Sequence, residues 1–137
     1  MTTNVHTPAT TADVIAQFNK AFQQRDVAAL TALVHDDCLM VSAQPAPDGT
    51  AYRGKDACVA FWAELMTQES TVFEVEHVFT DGPWATVRWR YRFGTTDDQS
   101  VLGVNVTRVS QGRVVEQLGY TKTPGEVLPL PEEQHKS

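Results

Sequence analysis

"VLGVNVTRVSQGRVVEQLGYTK", residues 101–122, decides the fold. Two runs rich in β-branched residues flank Gln111-Gly112. Gly can supply positive φ there, so the stretch predicts a hairpin closed by a two-residue turn. Asn105 lies among apolar residues on one face of the first strand. A buried amide needs several hydrogen-bond partners, and a ligand can be one of them.

Upstream of the hairpin the same alternation continues. Residues 71–80 and 84–94 predict two more strands, so that 71–122 is an antiparallel meander of four. The N-terminal half has helical spacing instead. Thr10 or Thr11 can cap a helix over about 12–24, with Val14, Ile15, Phe18, Ala21 and Phe22 on one face. Asp26 can cap a short second helix bearing Val27, Leu30, Leu33 and Val34. A strand is expected at 38–44, a turn at PAPDGT, and a third helix after Gly54. Helices first and a meander last imply α+β. The expected architecture is a cone-shaped barrel: a curved, mainly antiparallel sheet with three N-terminal helices over its concave face. Such a cone is a natural ligand pocket. The expected organisation is a flexible tail at 1–10, one domain at 11–122 and a Pro-rich tail at 123–137.

Bulk properties narrow the function. The chain has 137 residues, 42% of them hydrophobic, enough for one globular domain with a sizeable core. A formal charge of −6 argues against nucleic acid, whose backbone needs clustered Lys and Arg. No apolar run is long enough to span a bilayer, and the first residues lack the basic start and apolar stretch of a signal peptide. A cytoplasmic location is therefore expected. Cys38 and Cys58 read as free buried thiols, and no metal-ligand spacing or cofactor motif is present, so no cofactor and no metal are expected.

Turn positions give an expected register. A first turn about Asp81-Gly82-Pro83 sets Glu76 opposite Arg88 and Glu74 opposite Arg90, which neutralises the run VRWRYRF. A second near Thr96-Asp97-Asp98 sets Asn105 beside Trp89 and Thr107 beside Val87. The third sets Glu116 opposite Thr107, Leu118 opposite Asn105 and Tyr120 opposite Gly103. His77, Asn105, Thr107, Glu116 and Tyr120 then converge on one apolar, aromatic face. A slip of one residue would turn a strand over. On that face Glu116 and His77 are candidates for proton transfer and Asn105 for steadying an oxygen. The competing reading makes Glu116 a partner of backbone amides and His77 a satisfied core histidine.

The segments FNKAFQQRDVAALTALVHDDCLMVSA, YRGKDACVAFWAEL and GVNVTRVSQGRVVEQLGY, in this order, resemble the nuclear transport factor 2-like superfamily. It includes SnoaL-like polyketide cyclases, ketosteroid isomerases and limonene epoxide hydrolases. The resemblance implies the cone fold and adds Phe18 and Ser42 to the ligand pocket, which the register borders with Trp89, Thr107, Leu118 and Tyr120. It does not carry the catalytic sets over. Phe18 stands where ketosteroid isomerases have a donating tyrosine, Ser42 where they have a basic aspartate, and Asn105 where they have an aspartic acid. The aspartate of SnoaL-like cyclases falls at Gly119, and the Asp–Arg–Asp set of the epoxide hydrolases is not found. Three functions are thus open. One is an isomerase, cyclase or hydrolase acting on a hydrophobic oxygenated metabolite. Another is a non-catalytic binder of such a molecule. The third is a homodimeric association domain, with Leu102, Val104 and Val106 facing outward.

Overall fold

The computed structural model describes residues 10–123. The tails expected at 1–10 and 123–137 lie outside the described residues, apart from Thr10 and Thr123. The element order is α1 (Thr11–Gln23), α2 (Val27–Ala32), β1 (Val34–Val41), β2 (Ala51–Arg53), α3 (Lys55–Met66), β3 (Val72–Asp81), β4 (Trp84–Arg92), β5 (Ser100–Ser110) and β6 (Arg113–Thr121). No helix among the described residues is long and apolar enough to cross a membrane.

Local chemistry explains the helix ends. Thr10 Oγ1 accepts from the Asp13 N–H at 3.1 Å, and Asp13 Oδ2 accepts from the Thr10 N–H, a complete capping box. Asp26 Oδ1 accepts from the Ala29 N–H at 3.0 Å and starts α2. Val34 leaves the helical stripe and begins β1, four residues earlier than expected. The spacing 27, 30, 33, 34 is helical, but α2 already ends at Ala32 with Leu33 as its cap.

The six strands form one open sheet in the order β2-β1-β6-β5-β4-β3. The meander is antiparallel, while β1 runs parallel to β6. The sheet does not close on itself, so the architecture is a cone with an open side rather than a complete barrel. Helices α1 and α3 cover the inner face with α2 packed on both, and Val14, Ile15, Leu30, Cys58, Trp62 and Met66 share one core with Val34, Met40, Val87, Trp89 and Val114. A run of edge-to-face aromatics ties α1 to the sheet: Phe22 to Phe73 at 4.9 Å, then Phe73 to Trp89 at 5.0 Å. Each such pair adds about 0.5–1.5 kcal/mol beyond burial.

The hairpin at Gln111-Gly112 forms as expected, with φ of 56° and 73° and Ser110 paired to Arg113. The strands after it then depart from the simple count. Val109 pairs with Val114, but Arg108 pairs with Glu116, leaving Val115 as an extra residue. The first hairpin carries a similar irregularity between Val75 and His77. Bulges bend a strand and increase its twist, which a sheet wrapped around helices requires. They also exchange inward for outward residues from that point on. Between β4 and β5 the register differs by two residues, so Asn105 pairs with Val87 and Gly103 with Trp89, and the face is kept. The arginine row is neutralised from the β3 side, with Arg88 3.5 Å from Glu76 and Arg92 2.9 Å from Glu74.

Cys38 and Cys58 are free and fully buried, and the Cys58 thiol points at the carbonyls of Cys38 and Tyr52, at 3.5 and 3.4 Å. Burial pushes both thiols up, and the Cys58 neighbour adds to the effect on Cys38. In the unfolded chain a thiol loses its proton near pH 8.5, whereas Cys38 in the folded protein keeps it well beyond that pH. Stability is therefore complete below that pH and falls as pH rises, by up to about 1.4 kcal/mol per unit from Cys38. Urea midpoints measured at pH 7.5 and 9.5 should show the fall, and Cys38→Ala should flatten it. An unchanged slope in that variant would refute the assignment.

Candidate functional site

Between the inner sheet face and the helices lies a cavity of about 800 Å³. Its walls are aromatic: Phe18 and Phe22 from α1, Phe61 and Trp62 from α3, Phe73 from β3 and Trp89 from β4. Helical spacing puts the first four on sheet-facing stripes, and strand alternation puts the last two on the inner face. Trp89 is 6% exposed, and its indole N–H is buried with no partner among the described residues.

Polar groups reach this apolar space from β6, β5 and the end of β1. Gln117 is 7% exposed, and its Oε1 accepts from the Thr107 hydroxyl at 3.1 Å. Thr107 is wholly buried, so its hydroxyl proton has to be placed on a nearby acceptor. Holding the oxygen of Gln117 leaves its NH₂ as the free end, and Gln117 borders the cavity. Asn105 also borders the cavity, opposite Gly119, and among the described residues its amide has no hydrogen-bond partner. Ser42 lines the wall, but its hydroxyl is engaged. It donates to the Gln44 carbonyl at 2.6 Å and accepts from the Thr50 N–H at 3.1 Å, pinning the loop that follows β1. The carboxylate bordering the cavity among the described residues is Asp98, in the exposed turn between β4 and β5.

The residues expected to converge are divided between the two faces. Phe18, Ser42, Trp89 and Asn105 border the cavity. Thr107 is inward but lies behind Gln117, as its support. Glu116, Leu118 and Tyr120 are on the outer face, because the extra residue at Val115 turns them over. Glu116 accepts from Arg108 Nε at 3.1 Å, Leu118 pairs with Val106, and Tyr120 is 54% exposed. His77 is also outward: it pairs with Arg88 and its ring packs on Phe79 at a centroid distance of 4.3 Å. The expected His77–Glu116 acid/base pair is thus not assembled. The bulge brings Gln117 and Gly119 inward instead. Glycine within an apolar strand is the sequence signal for such a kink or close approach.

No curated protein matches the chain. Solved structures do. One is an NTF2-like protein of unknown function from Mesorhizobium loti, 44% identical over 82% of this chain and 91% of its own, with a TM-score of 0.76. A protein provisionally named a ketosteroid isomerase, from Kribbella flavida, shares 20% identity over 95% of this chain and 90% of its own, with a TM-score of 0.70. A provisionally named polyketide cyclase from Sinorhizobium meliloti shares 20% over 78% and 93%, with a TM-score of 0.65. At that identity these two speak to the fold alone. The SnoaL-like domain family matches residues 15–117. With three helices over a curved sheet and a match across most of its length, this chain belongs to the SnoaL-like family of the nuclear transport factor 2-like superfamily.

Proposed function

We propose that the chain holds a mostly apolar, oxygenated small molecule in the inner cavity and grips an oxygen of it with uncharged amides. The observation that carries this is Gln117: nine-tenths buried, its oxygen fixed by Thr107, its NH₂ left for a guest. An amide NH₂ that borders the cavity while its oxygen is held by the protein is available to donate to a guest or to water. Aromatic walls with few directed polar groups suit such a guest. Neutral amides hold a carbonyl and stabilise negative charge developing on it without titrating near neutral pH. That chemistry is compatible with the cyclase and isomerase names among the similar structures, and it makes no use of Glu116 or His77.

The test uses 2-acetylnaphthalene as a carbonyl probe and the fluorescence of Trp62 and Trp89 as the readout. Saturable quenching with a rise in melting temperature is expected. Gln117→Leu and Thr107→Val should each weaken binding about five- to tenfold, the value of one hydrogen bond. Equal affinity in all three proteins would remove Gln117 from the site.

The outer sheet face supports self-association as a second property. Phe79, Trp84 and Tyr120 are 53%, 38% and 54% exposed there, beside Val104, Val106 and Leu118. We propose a second copy of this chain as the partner, since exposed apolar side chains flanked by charges of both signs can meet their own copies about a two-fold axis. Sedimentation equilibrium at micromolar concentration should give twice the chain mass, and Val104→Asp with Tyr120→Asp should halve it. A wild-type monomer would end this reading.

A further inference from the structure

The geometry points to a second polar subsite in the same cavity, a hydroxyl-binding notch over Gly119, and it rests on the proposed guest-binding role of that cavity. Gly119 lies on β6, two residues beyond Gln117, with its missing side chain on the inner face. A Cβ placed there would lie 3.2 Å from the Ala43 backbone nitrogen and 3.3 Å from Asn105 Oδ1. A side chain there would crowd both atoms, and with glycine in place the donor and the acceptor stand side by side at the cavity wall, uncovered by β6 at that position. Both are spare: among the described residues neither the Ala43 N–H nor the Asn105 amide has a hydrogen-bond partner.

The position of Ala43 is built in. Ser42 is tied to Thr50 through its backbone N–H at 2.9 Å and through its side chain, and to Gln44 through its hydroxyl. This folds the chain after β1 back on itself and leaves the next N–H outside the β1–β6 ladder, whose pairing ends at Val41 and Leu118. A group seated in the notch has to accept from Ala43 and donate to Asn105. A hydroxyl does both, a carbonyl or ether only the first, and a methyl neither. Residues two apart on a strand are separated by about 7 Å, so a guest whose hydroxyl fills the notch can place a carbonyl at Gln117. The ligand class is thus a hydroxylated, largely apolar carbonyl compound.

The test compares 2-naphthol, 2-methoxynaphthalene and 2-methylnaphthalene by tryptophan quenching, with the ¹⁵N-edited amide resonance of Ala43 as a second readout. Binding of 2-naphthol should be at least fivefold tighter than that of either analogue, and it alone should move the Ala43 resonance strongly. Gly119→Ala should abolish the preference while leaving the urea midpoint close to wild type, because its new contacts of 3.2–3.4 Å are tight but not impossible and Gly119 has no positive φ. Asn105→Leu should lose the preference for 2-naphthol over 2-methoxynaphthalene. If all three probes bind alike with the Ala43 resonance unmoved, or if Gly119→Ala keeps the preference, the notch is wrong and the cavity reading stands. If none of the three binds, both fall together.

Discussion

Gly103→Ala is expected to cost the protein about 3 kcal/mol, at the upper end of what overpacking a core does. Gly103 is on β5 directly opposite Trp89, and the indole lies across its Cα. An added Cβ would sit 2.4 Å from one ring carbon of Trp89, 2.5 Å from a second and 2.6 Å from the Tyr120 carbonyl oxygen. The ring cannot retreat freely, because Phe73 packs on it at 5.0 Å and Trp89 is 6% exposed. The carbonyl belongs to β6 and cannot move without disturbing the ladder. Urea denaturation should show a lower midpoint with an unchanged slope, and the near-ultraviolet dichroism of the tryptophans should change. Trp89→Phe in the same chain should restore part of the loss, since it removes the two ring carbons but not the Tyr120 contact. The two substitutions meet at the same indole ring and should be non-additive. A midpoint within 0.5 kcal/mol of wild type in Gly103→Ala would mean that the indole does not lie where it is described.

Gly103 also shows why some of this protein can be read from its residues and some cannot. Helical spacing, capping residues and the Gln111-Gly112 turn are local signals, and the helices and hairpins follow from them. The inner position of Asn105 survives a register error of two residues, because side chains alternate with period two. Glu116 has no such protection. One unpaired residue at Val115 exchanges it for Gln117, and nothing in VVEQLGY says which of the two polar neighbours is inward. The same holds for His77 and Val78 on β3. Bulges answer to the curvature of the whole sheet around its helices, which is a tertiary demand without a local code. The parallel pairing of β1 with β6 is likewise set by contacts far apart in the chain. Strand β2, at three residues, is too short for its alternation to stand out. The glycines hold the most useful signal. In apolar strands, Gly103 and Gly119 mark where another group comes close: an indole over one, an open amide over the other.

Arg25 supplies the other large effect, through an inversion of the usual ranking of substitutions. It occupies the turn between α1 and α2 with φ of 59°, a conformation that L side chains disfavour by about 1–2 kcal/mol. What holds it there is its guanidinium, which donates to the carbonyls of Met66, Gln68 and Thr71, the last two at 2.8 Å. These carbonyls belong to the end of α3 and the loop beyond it, where the helix leaves acceptors unmatched. One side chain thus fastens the α1–α2 corner to the start of β3, next to the Phe22–Phe73 contact that walls the cavity. Arg25→Ala keeps the unfavourable φ and strands the carbonyls, two of them in partly buried bonds, at a cost of about 3 kcal/mol. That is a fall of about 10 °C in melting temperature for a domain of this size. Arg25→Gly loses the same bonds but adopts the backbone freely, so it should be about 1 kcal/mol more stable than the alanine variant. Lysine should recover little, because one ammonium cannot span three acceptors that a planar fork reaches together. Melting temperatures of the four proteins decide the matter. Alanine equal to or above glycine would remove the backbone argument, and three variants within 0.5 kcal/mol of wild type would show that the clamp carries no weight.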